Sequence, residues 1–180
     1  MRIIGGRLRG KSIFPPSGFK ARPTTDFAKE GLFNVLNNEF DFEDLKVLDL
    51  FGGTGSISYE FASRGVGRVY CIEMFPLHAN FIKSQAAKLA LDNLTVVRHN
   101  VFDFLNICKE SFDIIFADPP YDLVDLETVP DKVLSKEILT PGGYFILEHP
   151  AAFSFKEHPA FVKEKKYGNV HFSFFEPINR

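Results

Sequence analysis

From residue 46 onward, short apolar runs alternate with stretches whose apolar positions recur at helical spacing. Lys46–Leu50 (KVLDL), Arg68–Ile72 (RVYCI), Leu94–Arg98, Phe112–Ala117 (FDIIFA) and Tyr144–Leu147 read as strands. A Gly-rich turn and a helix through Arg64 follow the first of them. Pro76 opens a helix running to about Leu91, because a first-turn proline gives up no intrahelical hydrogen bond. Helical patterns at about 102–108 and 125–138 separate the later strands. Strands alternating with helices predict an α/β fold, a doubly wound, mostly parallel sheet with helices on both faces. Residues 161–176 lack helical spacing, and Val170-His171-Phe172-Ser173-Phe174 alternates. The chain is therefore expected to end in an antiparallel hairpin at the sheet edge, completing a seven-stranded sheet.

The first 45 residues follow another pattern. Gly5-Gly6 sits between two short apolar and basic runs, Arg2-Ile3-Ile4 and Arg7-Leu8-Arg9, which is a type I′ hairpin signal. Pro15, Pro16 and Gly18 make a loop that ends at Arg22-Pro23-Thr24-Thr25-Asp26. Ala28, Gly31, Leu32, Val35 and Leu36 then line one face of a helix that Thr24, Thr25 or Asp26 can cap. Residues 1–42 are expected as a basic hairpin-and-helix extension, and 43–180 as the main domain.

Charge sharpens that division. The net charge is only −2, yet residues 1–30 hold seven bases (Arg2, Arg7, Arg9, Lys11, Lys20, Arg22, Lys29) against Asp26 and Glu30. A basic arm on an acidic body suits a polyanionic partner. Arg7, Arg9 and Lys11 are the candidate phosphate contacts. Arg22, held extended by Pro23, can be aimed at the strand ends, with Thr24 beside it. Composition adds exclusions. A chain of 180 residues, with 21 Phe and no Trp, buries a core without a disulfide or metal staple. Cys71 and Cys108 lack ligand spacing, which fits a reducing, cytoplasmic setting. No apolar run reaches about 18 residues and no charged-then-apolar leader is present, so neither membrane span nor signal peptide is expected. His78, His99, His149, His158 and His171 form no i,i+4 pair and read as structural or surface residues, with no metal expected. Nothing calls for an obligate dimer, so a monomer is expected.

Three loaded segments lie at strand ends, where ligands bind in such sheets. Asp49-Leu50-Phe51-Gly52-Gly53-Thr54-Gly55 follows the first strand, and its glycines let a ligand approach the backbone. The dinucleotide pattern needs a further glycine where Ser58 stands, so a ligand without phosphates is favoured. Glu73, at the end of the second strand, has the spacing of an acid that accepts ribose hydroxyls. Asp118-Pro119-Pro120-Tyr121 closes the strand Phe112–Ala117. Its prolines lack N–H donors and stiffen the turn, so outward carbonyls and the Asp118 carboxylate can take both hydrogens of an exocyclic amine. Tyr121 can stack on the base carrying that amine.

DLFGGTG, Glu73 and DPPY together resemble the class I S-adenosylmethionine-dependent methyltransferases of the amino-group type, whose fold is Rossmann-like. MRIIGGRLRGK, RPTTD followed by KEGLFNVL, DLFGGTGS, SRG and IEM are similar, more closely, to the RsmD family. That resemblance implies methylation of the N2 amine of one guanine in small-subunit ribosomal RNA, free or in a partly assembled subunit. It implies S-adenosylmethionine as cofactor, its methionine end surrounded by Asp49, Phe51, Gly52, Gly53 and Gly55. Glu73 would hold the ribose and Met74 would lie against adenine, with Asn100 or the Val101 amide reading the adenine edge. Asp118 would bind the guanine amine. The alternatives are a DNA adenine-N6 methyltransferase, whose amine DPPY handles equally well, and a non-catalytic nucleotide- or RNA-binding module, which leaves DPPY unexplained.

Overall fold

A computed structural model describes residues 1–178. Helix α1 spans Asp26–Glu39 and is followed by strand β1 (Lys46–Asp49), α2 (Ser56–Ser63), β2 (Arg68–Glu73), α3 (Pro76–Lys88) and β3 (Leu94–Arg98). Then come α4 (Val101–Ile107), β4 (Phe112–Ala117), α5 (Val129–Leu134), β5 (Leu139–Pro150), β6 (Phe161–Tyr167) and β7 (Val170–Phe175). The seven strands form one sheet ordered β3-β2-β1-β4-β5-β7-β6. Pairing is parallel from β3 to β5 and antiparallel at β5–β7–β6, as the pattern predicts. The chain winds outward from β1 to β3 and resumes on the other side with β4. The switch point therefore lies between the carboxyl ends of β1 and β4, and it aligns the site described below.

Two elements depart from expectation. Strand β5 begins at Leu139 rather than Tyr144, because Thr140–Gly143 are absorbed as a register shift against β4. The predicted helix over 125–138 contracts to a 3-10 turn (Leu126–Thr128) and α5. Pro130 fits only a first helical turn, and Asp125 at φ 66° interrupts anything earlier.

The arm also folds differently from a two-residue hairpin. Gly5 is extended and Gly6–Leu8 form a 3-10 turn, so the reversal is a wide loop. It is closed by Ile3 N–H to Lys11 O (2.9 Å), Gly10 N–H to Ile3 O (2.8 Å) and Ile13 N–H to Met1 O (2.9 Å). The glycines serve contact instead. A Cβ on Gly6, at φ +72°, would collide with the Ser63 carbonyl at the end of α2. Ser63 Oγ completes the dock, donating to Gly5 O at 2.7 Å and accepting the Leu8 N–H at 2.9 Å. Ile3 and Ile13 are buried in the same apolar cluster as Leu32, Phe33, Phe61 and Val69. Residues 1–42 thus share the core of the body.

At the centre of this junction Glu60 of α2 is fully buried. Its carboxylate accepts the Ile4 N–H at 3.1 and 3.3 Å, the Arg64 Nε–H at 3.1 Å, and pairs with the buried Lys29 ammonium of α1 at 3.4 Å. Burial lowers the Lys29 pKa, against the pull of Glu60. Removing one partner leaves the other charge stranded. Glu60→Ala is expected to cost about 3–5 kcal/mol in denaturant unfolding. Adding Lys29→Met should recover much of that loss. No recovery would show that the ion pair is not its source.

Candidate active site

Asp49, Glu73, Asp118 and Glu148 end or follow β1, β2 and β4 or lie near the end of β5, and they gather at the carboxyl edge of the parallel strands. Asp49 is buried. One of its oxygens accepts the Ser58 hydroxyl at 2.6 Å, and the other has no hydrogen-bond partner among the described residues. Burial pushes its carboxyl up to about 7, with Glu73 adding and Ser58 opposing. The residue that spoils the dinucleotide glycine pattern is thus the one that holds Asp49. Glu73 is buried as well, with both oxygens fixed by backbone donors: Gly53 N–H at 2.7 Å and Phe75 N–H at 2.8 Å. A Cβ at Gly52 would lie 2.6 Å from Cys71 Sγ and 3.3 Å from Glu73 Cβ, so only glycine lets the turn pass this close to β2. Phe51 is half-buried and meets Phe102 edge-on at 6.4 Å.

Beyond Glu73, Met74 is exposed and its sulfur takes a weak contact from Asn100 Nδ2 at 3.7 Å. Asn100 Oδ1 caps α4, accepting Phe102 N–H at 2.9 Å and Asp103 N–H at 3.2 Å. Its carbonyl is therefore committed to the helix. Of the two adenine readers left open by the sequence, the Val101 amide is the one in a first helical turn, where N–H groups lack intrahelical acceptors.

On the other side of the switch point, Asp118 is half-buried, Pro119 buried, and Pro120 and Tyr121 exposed, Tyr121 at 79%. Burial raises the Asp118 pKa well above the carboxylate range, and the nearby charges of Glu148 and Asp49 raise it further. Glu148 is a site residue that the sequence analysis does not single out, although it directly follows the strand expected at Tyr144–Leu147. A carboxylate just past a strand is the same signal that picked out Glu73 and Asp118. Glu148 is buried and accepts the Thr24 hydroxyl at 3.0 Å, and its burial pushes its carboxyl to about 7. Thr24 is accordingly a buried support for an acid, while Thr25 caps α1 by accepting Ala28 N–H at 3.2 Å.

The basic arm divides in two. Arg7 donates to the carbonyls of Leu89 and Ala90 at 3.3 and 2.9 Å, closing the carboxyl end of α3. Helix α3 has 13 residues, so this loop, which also carries exposed Arg9 and Lys11, lies a helix length, about 20 Å, from the Glu73 end. The structure thus separates Arg7, Arg9 and Lys11 from the strand ends. Residues 19–24 instead strap the site. Phe19 stacks on His78 at 4.2 Å, Ala21 faces the Gly53 turn, and exposed Arg22 places its charge near Tyr121. Two histidines also come together unforeseen. His149 and His171 pair across β5 and β7 around Glu164, with His149 Nε2 2.7 Å from Ser173 Oγ and His171 Nδ1 3.2 Å from Glu164. Cross-strand pairing, which spacing in sequence does not show, brings them together.

The fold and these strand-end acids define a Rossmann-like methyltransferase architecture. Residues 1–176 match the family described as Conserved hypothetical protein 95. The chain belongs to that family, the RsmD methyltransferases. Among its relatives is the ribosomal RNA small subunit methyltransferase D of Buchnera aphidicola subsp. Baizongia pistaciae, 29% identical over 99% of this chain and 93% of that protein. The protein of the same name from Escherichia coli K12 is 36% identical over 67% of this chain and 60% of its own length. The solved Escherichia coli structure named yhhF superposes with a TM-score of 0.86, 28% identical, covering 98% of this chain and 97% of that one. Among the described residues, no helix is long and apolar enough to cross a membrane.

The raised carboxyls fix the sign of a pH dependence. Asp49 and Glu148 titrate at about 7 in the folded chain and at roughly 4 when unfolded. The folded chain holds the extra protons between those values, so the stability these groups add is fully present below about pH 4 and is lost as pH rises through about 7. The Tm of the protein is expected to decline from about pH 5 to about pH 8, and a variant carrying Asp49→Asn and Glu148→Gln should decline less. An equally steep decline in that variant would refute the assignment.

Proposed function

We propose that this methyltransferase transfers the methyl group of S-adenosylmethionine to the N2 amine of one guanine in small-subunit ribosomal RNA. The substrate is that RNA, free or in a partly assembled subunit, met in the cytoplasm by a monomer. One observation carries the reading: among the described residues no hydrogen bond offsets the burial of the Asp118 carboxyl, beside a rigid Pro119-Pro120 turn and exposed Tyr121. An acceptor in that state calls for a donor from outside, and an exocyclic amine supplies it. Both relatives named above are ribosomal RNA small subunit methyltransferases, which supports RNA over DNA.

The cofactor fits on the chemistry of its donors. Asp49 offers an unpartnered buried oxygen to an ammonium, and Gly52, Gly53 and Gly55 keep the approach free of side chains. Glu73, held rigid by the Gly53 and Phe75 amides, would accept the ribose hydroxyls, and Met74 and the Val101 amide would hold the adenine. When bound, S-adenosylmethionine supplies a methyl group activated by its positive sulfur.

Asp118 works on the other reactant. The amine lone pair is delocalised into the guanine ring, and hydrogen bonds from its N–H groups to Asp118 and the turn carbonyls favour the pyramidal form that can attack. As the new N–C bond forms and the methyl leaves sulfur, the nitrogen becomes cationic; Asp118 in its ionised form, made a stronger base by its burial and by the charges of Glu148 and Asp49, stabilises that charge and takes the proton released. Most of the rate comes from holding the two reactants in line. Tyr121 stacks on the flipped base, and Arg22 on the strap reaches a phosphate beside it. Arg9 and Lys11, a helix length away, add phosphate contacts along a longer stretch of RNA.

The test is incorporation of labelled methyl into unmethylated small-subunit RNA or subunits, followed by nucleoside analysis. N2-methylguanosine is expected; N6-methyladenosine formed in DNA instead would overturn the reading. Asp118→Ala should remove most transfer while affinity for S-adenosylhomocysteine stays within a few-fold, since the lost contact belongs to the amine. Glu73→Ala should weaken that affinity by about 1–3 kcal/mol in calorimetry. Near-normal turnover of the Asp118 variant would exclude it as the amine acceptor.

A further inference from the structure

The paired strands place a second carboxylate beside the first. Ala117 of β4 and Leu147 of β5 are register partners, so Asp118 and Glu148 follow as neighbours across the sheet. Glu148 is only 8% exposed, and one of its oxygens is held by the Thr24 hydroxyl at 3.0 Å. That hydroxyl arrives on the strap, 124 residues away in sequence. Among the described residues no other hydrogen bond offsets the burial of Glu148. Its second oxygen has no donor among the described residues, and the carboxyl stands next to the acceptor assigned to the target amine.

Two adjacent acceptors select among nucleobase edges. Guanine presents N1–H and the N2 amine side by side, all donors. Adenine presents its amine beside N1, which is an acceptor and would meet the carboxylate lone pair to lone pair. We propose that Glu148, positioned by Thr24, binds N1–H of the target guanine and so makes this a guanine site rather than a general amine site. The proposal rests on the N2-methylation reading above. It assigns Glu148 a contact with the substrate and Thr24 a positioning role.

The discriminating probe is 2-aminopurine, which keeps the N2 amine but carries an unprotonated N1. Small-subunit RNA with guanine or 2-aminopurine at the target position is compared by kcat/KM for methyl transfer. The wild-type chain should prefer guanine by about 10–100-fold, the consequence of leaving a buried acceptor facing an acceptor. In Glu148→Gln the Thr24 hydroxyl can keep the amide oxygen and turn the NH2 toward the base, so the ratio should fall at least about tenfold or invert. Thr24→Val should also reduce the ratio, by loosening Glu148.

A second readout needs no variant. Glu148 titrates at about 7 among Asp118, Asp49, Tyr121 and Arg22. Once protonated it becomes a donor that suits 2-aminopurine N1, so the guanine preference of the wild type should grow as pH rises through about 7. Asp118 meets the amine common to both bases, so its own titration cancels in the ratio. A guanine preference unchanged by Glu148→Gln, or flat with pH, would overturn the proposal while leaving N2 methylation standing. Methylation of adenine in DNA and of neither RNA base would instead bring down the reading beneath it.

Discussion

The Glu60 carboxylate is the point on which the assembly of this fold turns. A fully buried acid is tolerated only when donors surround it. Here they come from three separate segments: the Ile4 amide of the arm, Lys29 of α1, and Arg64 one turn along α2. Lys29 also donates to the Arg2 carbonyl, so the ammonium and the carboxylate each hold the arm by its backbone. Once the arm is fixed at one end and α1 at the other, the strap between them has little choice of path. Its Phe19 lands on His78, and Thr24, one residue before the α1 cap, lands on Glu148. The Glu60–Lys29 pair thereby ties down both segments that flank the one carrying Thr24.

At the strand ends the reverse economy holds. Asp49 has one oxygen without a partner among the described residues, and Glu148 sits close enough to Asp118 to raise its protonation further. Such a cluster destabilises the empty fold, and it persists because the sheet and the strap over-determine its geometry. What would relieve it is a set of donors: an ammonium, ribose hydroxyls and a base edge rich in N–H groups. Substrate and cofactor then supply the hydrogen bonds that folding leaves unmade. The tight junction at Glu60 and the unsatisfied edge at Asp118 are thus complementary, since a rigid frame is needed to hold buried carboxyl groups together without donors.

Much of this was legible in the chain. Strands of four to six residues, each ending at an acid or a turn, are local signals, and the observed bounds of β1 to β4 follow them closely. What stayed hidden was made by contacts distant in sequence. Gly5-Gly6 reads as a turn, yet its glycines are required by the Ser63 carbonyl they approach. Arg7 reads as a phosphate ligand, yet it closes a helix more than eighty residues further on. Asn100 reads as a base contact, but Asn before a helix is also a strong cap, and the nearby amides win. Glu148 reads as an ordinary carboxylate after Leu147, and only the pairing of β4 with β5 and the Thr24 hydroxyl show it to stand beside Asp118.

That last omission separates two kinds of information in the site. Asp118-Pro119-Pro120-Tyr121 is contiguous, so it can be read as a motif, and its chemistry is generic: a stiff turn with acceptors for an amine and a ring for a base. It fits adenine and guanine equally, which is why the sequence left both open. The neighbour that tells the two bases apart stands on another strand and is set by a threonine from the opposite end of the chain. Reaction type is written locally because it needs a few atoms in fixed relation. Substrate choice depends on what the fold brings against those atoms, and here that is one more carboxylate, aimed by a strap whose path was fixed at Glu60.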